Sequence, residues 1–232
     1  MPGEGAFNKI FSSAFVINEP LNVVGRNGYW LYQRDEIVFL AVFACAGRGH
    51  LASMMTRIYA NSLKRLVVDH NVQFPGSILG FIHREIRSKF KSRERFILHT
   101  GADLGILRVD LSSRQMEFAG AKMDLIQVVN NKIEIIQGDN ISIGPESENQ
   151  ITYHTRSVSA GASACYLHTE GLTKLVVEQA YSKLGKSGVK SLINKVHRLP
   201  MERQKKALSG YFEKWSAASR KTDDILLLGL KF

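Results

Sequence analysis

Two adjacent aspartates, Asp223-Asp224, precede the apolar run that ends the chain, and Glu170-Gly171 follows another apolar run. Hard cations such as Mg²⁺ and Mn²⁺ prefer anionic oxygen, so acidic residues are the first to weigh for such chemistry. Taken alone, Asp223-Asp224 also reads as the cap of a turn before the last strand, and Glu170-Gly171 as an ordinary strand-to-helix turn. Asp103 is an isolated acid for which a structural role is favoured. His50 follows Arg48-Gly49 at the start of a helical pattern and reads as an exposed polar residue. His154 and His168 alternate with apolar residues and read as strand-surface positions. No two histidines stand at metal-ligand spacing on one face. The only cysteines, Cys45 and Cys165, lie in apolar runs. That suits buried thiols in a reducing compartment, and neither has the Cys/His pattern of a nucleophile.

The elements that must position these residues follow from period and turn chemistry. Ala14–Asn18 and Gly28–Gln33 read as short strands, and Ile37–Cys45 as a buried one. After Gly47-Arg48-Gly49 the period changes to helical over residues 50–69, with Leu51, Met54, Met55, Ile58, Leu63, Leu66 and Val67 on one face. Pro75 opens a second helix that runs to Phe90. Leu104–Leu111, Gln115–Ala119, Leu125–Asn130 and Lys132–Ile136 read as strands separated by turn residues, with Asn130-Asn131 a hairpin signal. Pro145–Gln150 is a polar loop. Ile151–Val158 and Ala164–His168 are further strands, and Leu172–Leu184, Val189–Arg198 and Met201–Ala218 are helices. Ile225–Phe232 closes the chain as a strand. This order predicts an α+β layered architecture in a single domain spanning 1–232, with residues 1–12 without fixed structure.

The chain has 232 residues, a formal net charge of +10 and 22% charged residues. It is long enough to bury a core without staples. No apolar run approaches the roughly 18 residues of a membrane span, and the N-terminus lacks the pattern of a signal peptide, so a cytoplasmic protein is expected. The basic stretches are His83–Arg95 and Lys183–Lys206. They read as solvated helix faces that suit acidic partners. Neither nucleic acid nor membrane is expected as a partner, because no aromatic platform is interleaved with the charges.

Six segments in order resemble the SpoIIE-like branch of the metal-dependent (PPM-type) serine/threonine protein phosphatases. They are Gly25-Arg-Asn-Gly-Tyr-Trp30, Gly47-Arg-Gly49 with Ala52-Ser-Met54, Met116-Glu-Phe-Ala-Gly-Ala-Lys122, Gly138-Asp139 with Ile143-Gly144, Tyr166-Leu-His-Thr-Glu-Gly171, and Met201–Trp215 with Thr222-Asp-Asp-Ile-Leu226. The resemblance implies a four-layer α-β-β-α sandwich of two antiparallel sheets with helices on the outer faces. It also implies a site at one edge, where four carboxylates hold two Mn²⁺ or Mg²⁺ ions.

Aligned on that pattern, Asn27 and Ala44 stand where two of the four aspartates belong. Glu170 and Asp223 keep the other two carboxylates, as residual metal ligands. Arg48 replaces the family histidine, and with Arg26 it is a candidate for binding an anion or partner. Gly161-Ala162 carries one extra residue, which predicts a bulge that shifts Glu170. The resemblance thus implies a catalytically impaired homologue with no cofactor expected, or Mn²⁺ or Mg²⁺ if activity remains. Its implied partner is a phosphorylated or acidic regulatory protein, a STAS-domain or kinase-type signalling protein of a partner-switching system, and a homodimer is compatible. The alternative is a weak or altered metal-dependent phosphatase acting on phosphoserine or phosphothreonine.

Overall fold

The structure, a computed structural model, describes residues 2–23, 25–47, 49–90, 100–144, 151–177, 182–218 and 222–232. Alternation of side chains along the strands sorts them into two sheets with three apolar layers. One sheet has the order β1 (Ser13–Glu19), β12 (Ile225–Lys231), β9 (Ala162–His168), β6 (Leu125–Val129), β7 (Lys132–Ile136). The other runs β2 (Asn27–Arg34), β3 (Ile37–Cys45), β4 (Ala102–Asp110), β5 (Met116–Ala121), β8 (Arg156–Val158). Every pairing within them is antiparallel. Between the sheets, Val38, Leu40 and Val42 of β3 meet Leu226, Leu228 and Leu230 of β12 in one core.

The opposite faces of the same strands are buried by helices. Phe39, Ala41 and Phe43 pack against α2 (His50–Leu63) and α3 (Pro75–Phe90). Ile225 and Leu227 pack against α5 (Gly185–Val196) and α6 (Met201–Ala218). This is the expected four-layer α-β-β-α sandwich, and it explains why β3 reads as a continuous apolar run: both of its faces are covered. Asn130 and Asn131 both take positive φ, the geometry of a type I′ hairpin turn between β6 and β7. Among the described residues no helix is long and apolar enough to cross a membrane.

Four expectations need correction. Leu172–Leu184 is not one helix: α4 spans only Glu170–Lys174, and β10 (Val176–Val177) pairs with β11 (Ser182–Lys183). Leu175 is extended, and the β-branched pair that follows favours a strand over a helix. Residues 178–181 of that expected helix lie outside the described residues, as do Arg48, the 145–150 loop and residues 91–95 of the first basic stretch. Residues 151–158 form a strand only over Arg156–Val158. Ile151 and Tyr153 are instead buried against α3, which comes close enough that a Cβ on Gly76 would lie 2.3 Å from the Tyr153 carbonyl oxygen. The helix at 50–69 changes character at Lys64, where a π-helical segment to Asp69 ends in a bond from His70 N to Arg65 O. Residues 2–12 are not loose: α1 (Glu4–Phe7) presents Phe7 to the inter-sheet core, which also buries Phe11.

Candidate functional site

Three strands of the second sheet end in register at one edge of the sandwich. Asn27 of β2 pairs with Ala44 of β3, and Ala44 pairs with Asp103 of β4. From the first sheet, β9 ends at Thr169-Glu170 and β12 is preceded by Asp223-Asp224. The sheets are locked together here by Thr169. Its hydroxyl oxygen accepts from Asn27 Nδ2 at 3.0 Å and from Leu226 N at 3.1 Å. Gly171 is required at this junction, because a Cβ there would sit 2.0 Å from the Asp224 carbonyl oxygen. The bulge foreseen near Gly161-Ala162 is present as a register shift: Val128 pairs with Ala164, but Val129 pairs with Ala162.

The carboxylates of the first sheet are already engaged. Arg26 sets its guanidinium fork on Asp223, with Nε to Oδ1 at 2.8 Å and NH2 to Oδ2 at 2.5 Å. Its third nitrogen reaches Cys45 O at 3.1 Å. Asp223 Oδ1 also accepts from Asp224 N. Both oxygens of Asp224 are held by backbone, Leu21 N at 2.6 Å and Arg26 N at 2.5 Å. Lys174 stands between Glu170 Oε2 at 2.6 Å and Asp223 Oδ2 at 3.5 Å. Burial pulls the Arg26 guanidinium down, but the hydrogen bonds and charge of Asp223, with Asp224 and Asp103, outweigh it and leave its pKa raised. Lys174 follows the same logic: burial opposes its charge, and Glu170 and Asp223 more than compensate.

The other side carries fewer charges. Asp103 accepts a bond from the Ser142 hydroxyl at 2.6 Å. Burial raises its pKa, the Ser142 bond works against that, and the nearby charge of Glu170 adds to the rise. Asn27 is 4% exposed, and its Oδ1 is buried without a hydrogen-bond partner. A cavity of about 140 Å³ brings Arg26, Ala44, Asp103, Glu170 and Lys174 around one space. A wider cleft of about 800 Å³ opens outward between Leu21, Leu51, Lys174 and Lys183. Below it Cys45 is fully buried, and burial pushes its thiol up to about 12, an inert group.

The sequence-derived residues therefore meet at one place: Asn27, Ala44, Glu170, Asp223 and Arg26. Arg48 lies outside the described residues. Arg26 differs from expectation. Its fork closes on a carboxylate of the chain itself, where an open anion site was foreseen. Glu170 is turned toward Lys174, with its side chain 49% exposed. Lys174 was not singled out from sequence, although its position four residues after Glu170 is the spacing at which helix side chains meet. Asp103 had no assigned role, and only the β3–β4 register brings it beside Ala44.

A pair of Mn²⁺ or Mg²⁺ ions would need several anionic oxygens converging on them. Here Ala44 offers no donor atom, Asn27 offers at most a neutral carbonyl, and Asp223 and Asp224 have both oxygens bonded to donors. Among the described residues no group of three His, Cys, Asp or Glu side chains is placed to hold a metal. The residues present do not fit a two-metal centre.

No protein-family model matches the sequence, and no curated protein matches it. Solved structures do. The SiaA PP2C domain of Pseudomonas aeruginosa superimposes with a TM-score of 0.84 at 23% identity, over 99% of this chain and 88% of that one. RsbX in complex with magnesium gives 0.65 at 15% identity, over 94% of each chain. The structure of the PP2C phosphatase domain and a regulatory fragment of SpoIIE from Bacillus subtilis gives 0.68 at 12% identity, over 95% of this chain and 63% of that one. The chain accordingly has the fold of the PP2C-type phosphatase domains.

Proposed function

We propose that this chain is a catalytically impaired homologue of SpoIIE-type phosphatases that acts by binding a phosphorylated or acidic regulatory protein in the cytoplasm. The carrying observation is the Arg26 fork on Asp223. A guanidinium fixed on that carboxylate supplies the positive charge a divalent ion would otherwise bring, and Lys174 does the same for Glu170. With Ala44 between Asn27 and Asp103, the two acids Glu170 and Asp223 are countered by cations from within the chain. The fold likeness and the net charge of +10 support a partner-switching role with a STAS-domain or kinase-type partner.

The test is a calorimetric titration with Mn²⁺, followed by an aryl phosphate assay in millimolar Mn²⁺. The expected result is no micromolar binding and no turnover above buffer. Saturable turnover that disappears in Asp223→Asn overturns the reading. A second reading, a weak or altered phosphatase, draws on one observation: the unpartnered Oδ1 of Asn27 lies at the head of the strand row that ends in Asp103. A single ion held there would give saturable turnover that Asn27→Leu and Asp103→Asn abolish.

A further inference from the structure

The second basic stretch of the sequence is left unused by the pocket. Residues 183–215 hold nine Lys or Arg against two acids, Glu202 and Glu213. They form α5 and α6, and the two helices leave a groove of about 250 Å³ between them. Its base is apolar, made by Val177, Leu184 and Leu192. Its wall is an aromatic pair one helical turn apart on α6: Tyr211 and Trp215 stack with centroids 5.7 Å apart and planes at 23°. Both rings are only partly buried against the core beneath. Lys195 and Lys214 are exposed and line the rim. Neither forms an ion pair among the described residues, whereas Lys186 on the same helix is spent on Asp124.

Lys183 lines the cleft and its neighbour Leu184 lines the groove. We propose that this groove docks an acidic segment of a partner protein, with one large apolar side chain of that segment seated against Trp215 and its carboxylates over Lys195 and Lys214. Charge complementarity selects an acidic occupant, and the concave apolar base selects a side-chain anchor. The recess argues for a peptide over nucleic acid. Bases need open ring faces to stack on, and here each ring covers part of the other. The inference deepens the functional reading above and rests on it for the existence of an acidic partner.

The probe is a fluorescein-labelled dodecapeptide of Glu and Ser with one central Phe, followed by anisotropy on the intact chain at low salt. Saturable binding is expected, weakened by about tenfold in Lys195→Glu/Lys214→Glu, since two exposed charge pairs are reversed. Those lysines are exposed, so the variant should keep the wild-type melting curve. The control Lys9→Glu/Lys64→Glu, which removes the same charge at two exposed positions elsewhere, should bind as wild type, and replacing the peptide's Phe by Ser should abolish binding. Equal loss in the control, equal binding of the Ser peptide, or no saturation up to millimolar protein each overturns the groove. So does retention of a DNA duplex or anionic vesicles that the groove variant alone abolishes, without peptide binding. Loss in Lys174→Ala but not in the groove variant moves the peptide to the pocket and overturns the groove while sparing the pocket reading. The Mn²⁺ titration fails or holds independently of all these outcomes.

Discussion

The two halves of the pocket differ in kind. The half built by β2, β3 and β4 carries little charge: its row reads Asn27, Ala44, Asp103, with one carboxylate that burial already disfavours. The half built around β9 and β12 carries Glu170, Asp223 and Asp224, yet Arg26, Lys174 and three backbone N–H groups occupy these acids. The contrast teaches that a count of acids is not a count of ligands. A carboxylate already paired inside the fold must give up that pair before it can take a metal, and the fork on Asp223 raises this cost.

The largest effect should come from changing both halves at once. Asn27→Asp/Ala44→Asp adds carboxylates to the first half but leaves the fork on the second. Adding Arg26→Gly should raise Mn²⁺ affinity over that double variant by on the order of 100-fold, judged from the cost of single ligand-shell changes. Calorimetry reads this directly, and a folded triple variant with wild-type metal response breaks the comparison.

Next is the fork alone. Arg26→Ala leaves Asp223, whose side chain is 10% exposed, with only the longer contact to Lys174 and the Asp224 N–H. A fully buried pair broken this way costs about 3–5 kcal/mol. Because the Arg26 side chain is 27% exposed, water returns part of that, and a loss of about 2 kcal/mol is expected in denaturant melts. In an Asp223→Asn background the same change should cost less, since the stranded charge is gone.

Lys174→Met should cost under about 1 kcal/mol, because Lys174 and Glu170 are 35% and 49% exposed. A loss as large as that of Arg26→Ala would mean that Lys174, not Arg26, is the main counter-ion.

The smallest effect concerns pH. Asp103 has a folded pKa above its unfolded value. An acid of this kind binds its proton more tightly in the folded state, so its ionisation opposes folding. Stability from this group is therefore full below the unfolded pKa, falls as pH rises toward the folded pKa, and stays lower above it. Asp103→Asn should raise Tm at neutral pH by about 1 °C, with no gain at low pH. A lower Tm at neutral pH would show that the carboxylate is needed as an anion.

Much of the fold was legible because burial leaves a periodic trace. Ile37–Cys45 and Lys132–Ile136 matched their strands to the residue, as did Met201–Ala218 its helix. The expected helix over 172–184 failed because Val176 and Val177 find partners in Ser182 and Lys183, a pairing that helical periodicity does not register. In the site, Asn27 and Ala44 stood out through their places in ordered motifs, and the β2–β3 register sets the two side by side.

The direction of Arg26 could not be read. Its neighbours in sequence leave it free to point outward to a partner or inward, and the deciding group, Asp223, is almost the whole chain away. By itself the sequence determined which side chains carry charge and which strand ends they stand on, because the alternation of buried and exposed positions is local. Only the tertiary structure decided which charges meet: pairing across two sheets depends on register and layer spacing, which no local pattern encodes.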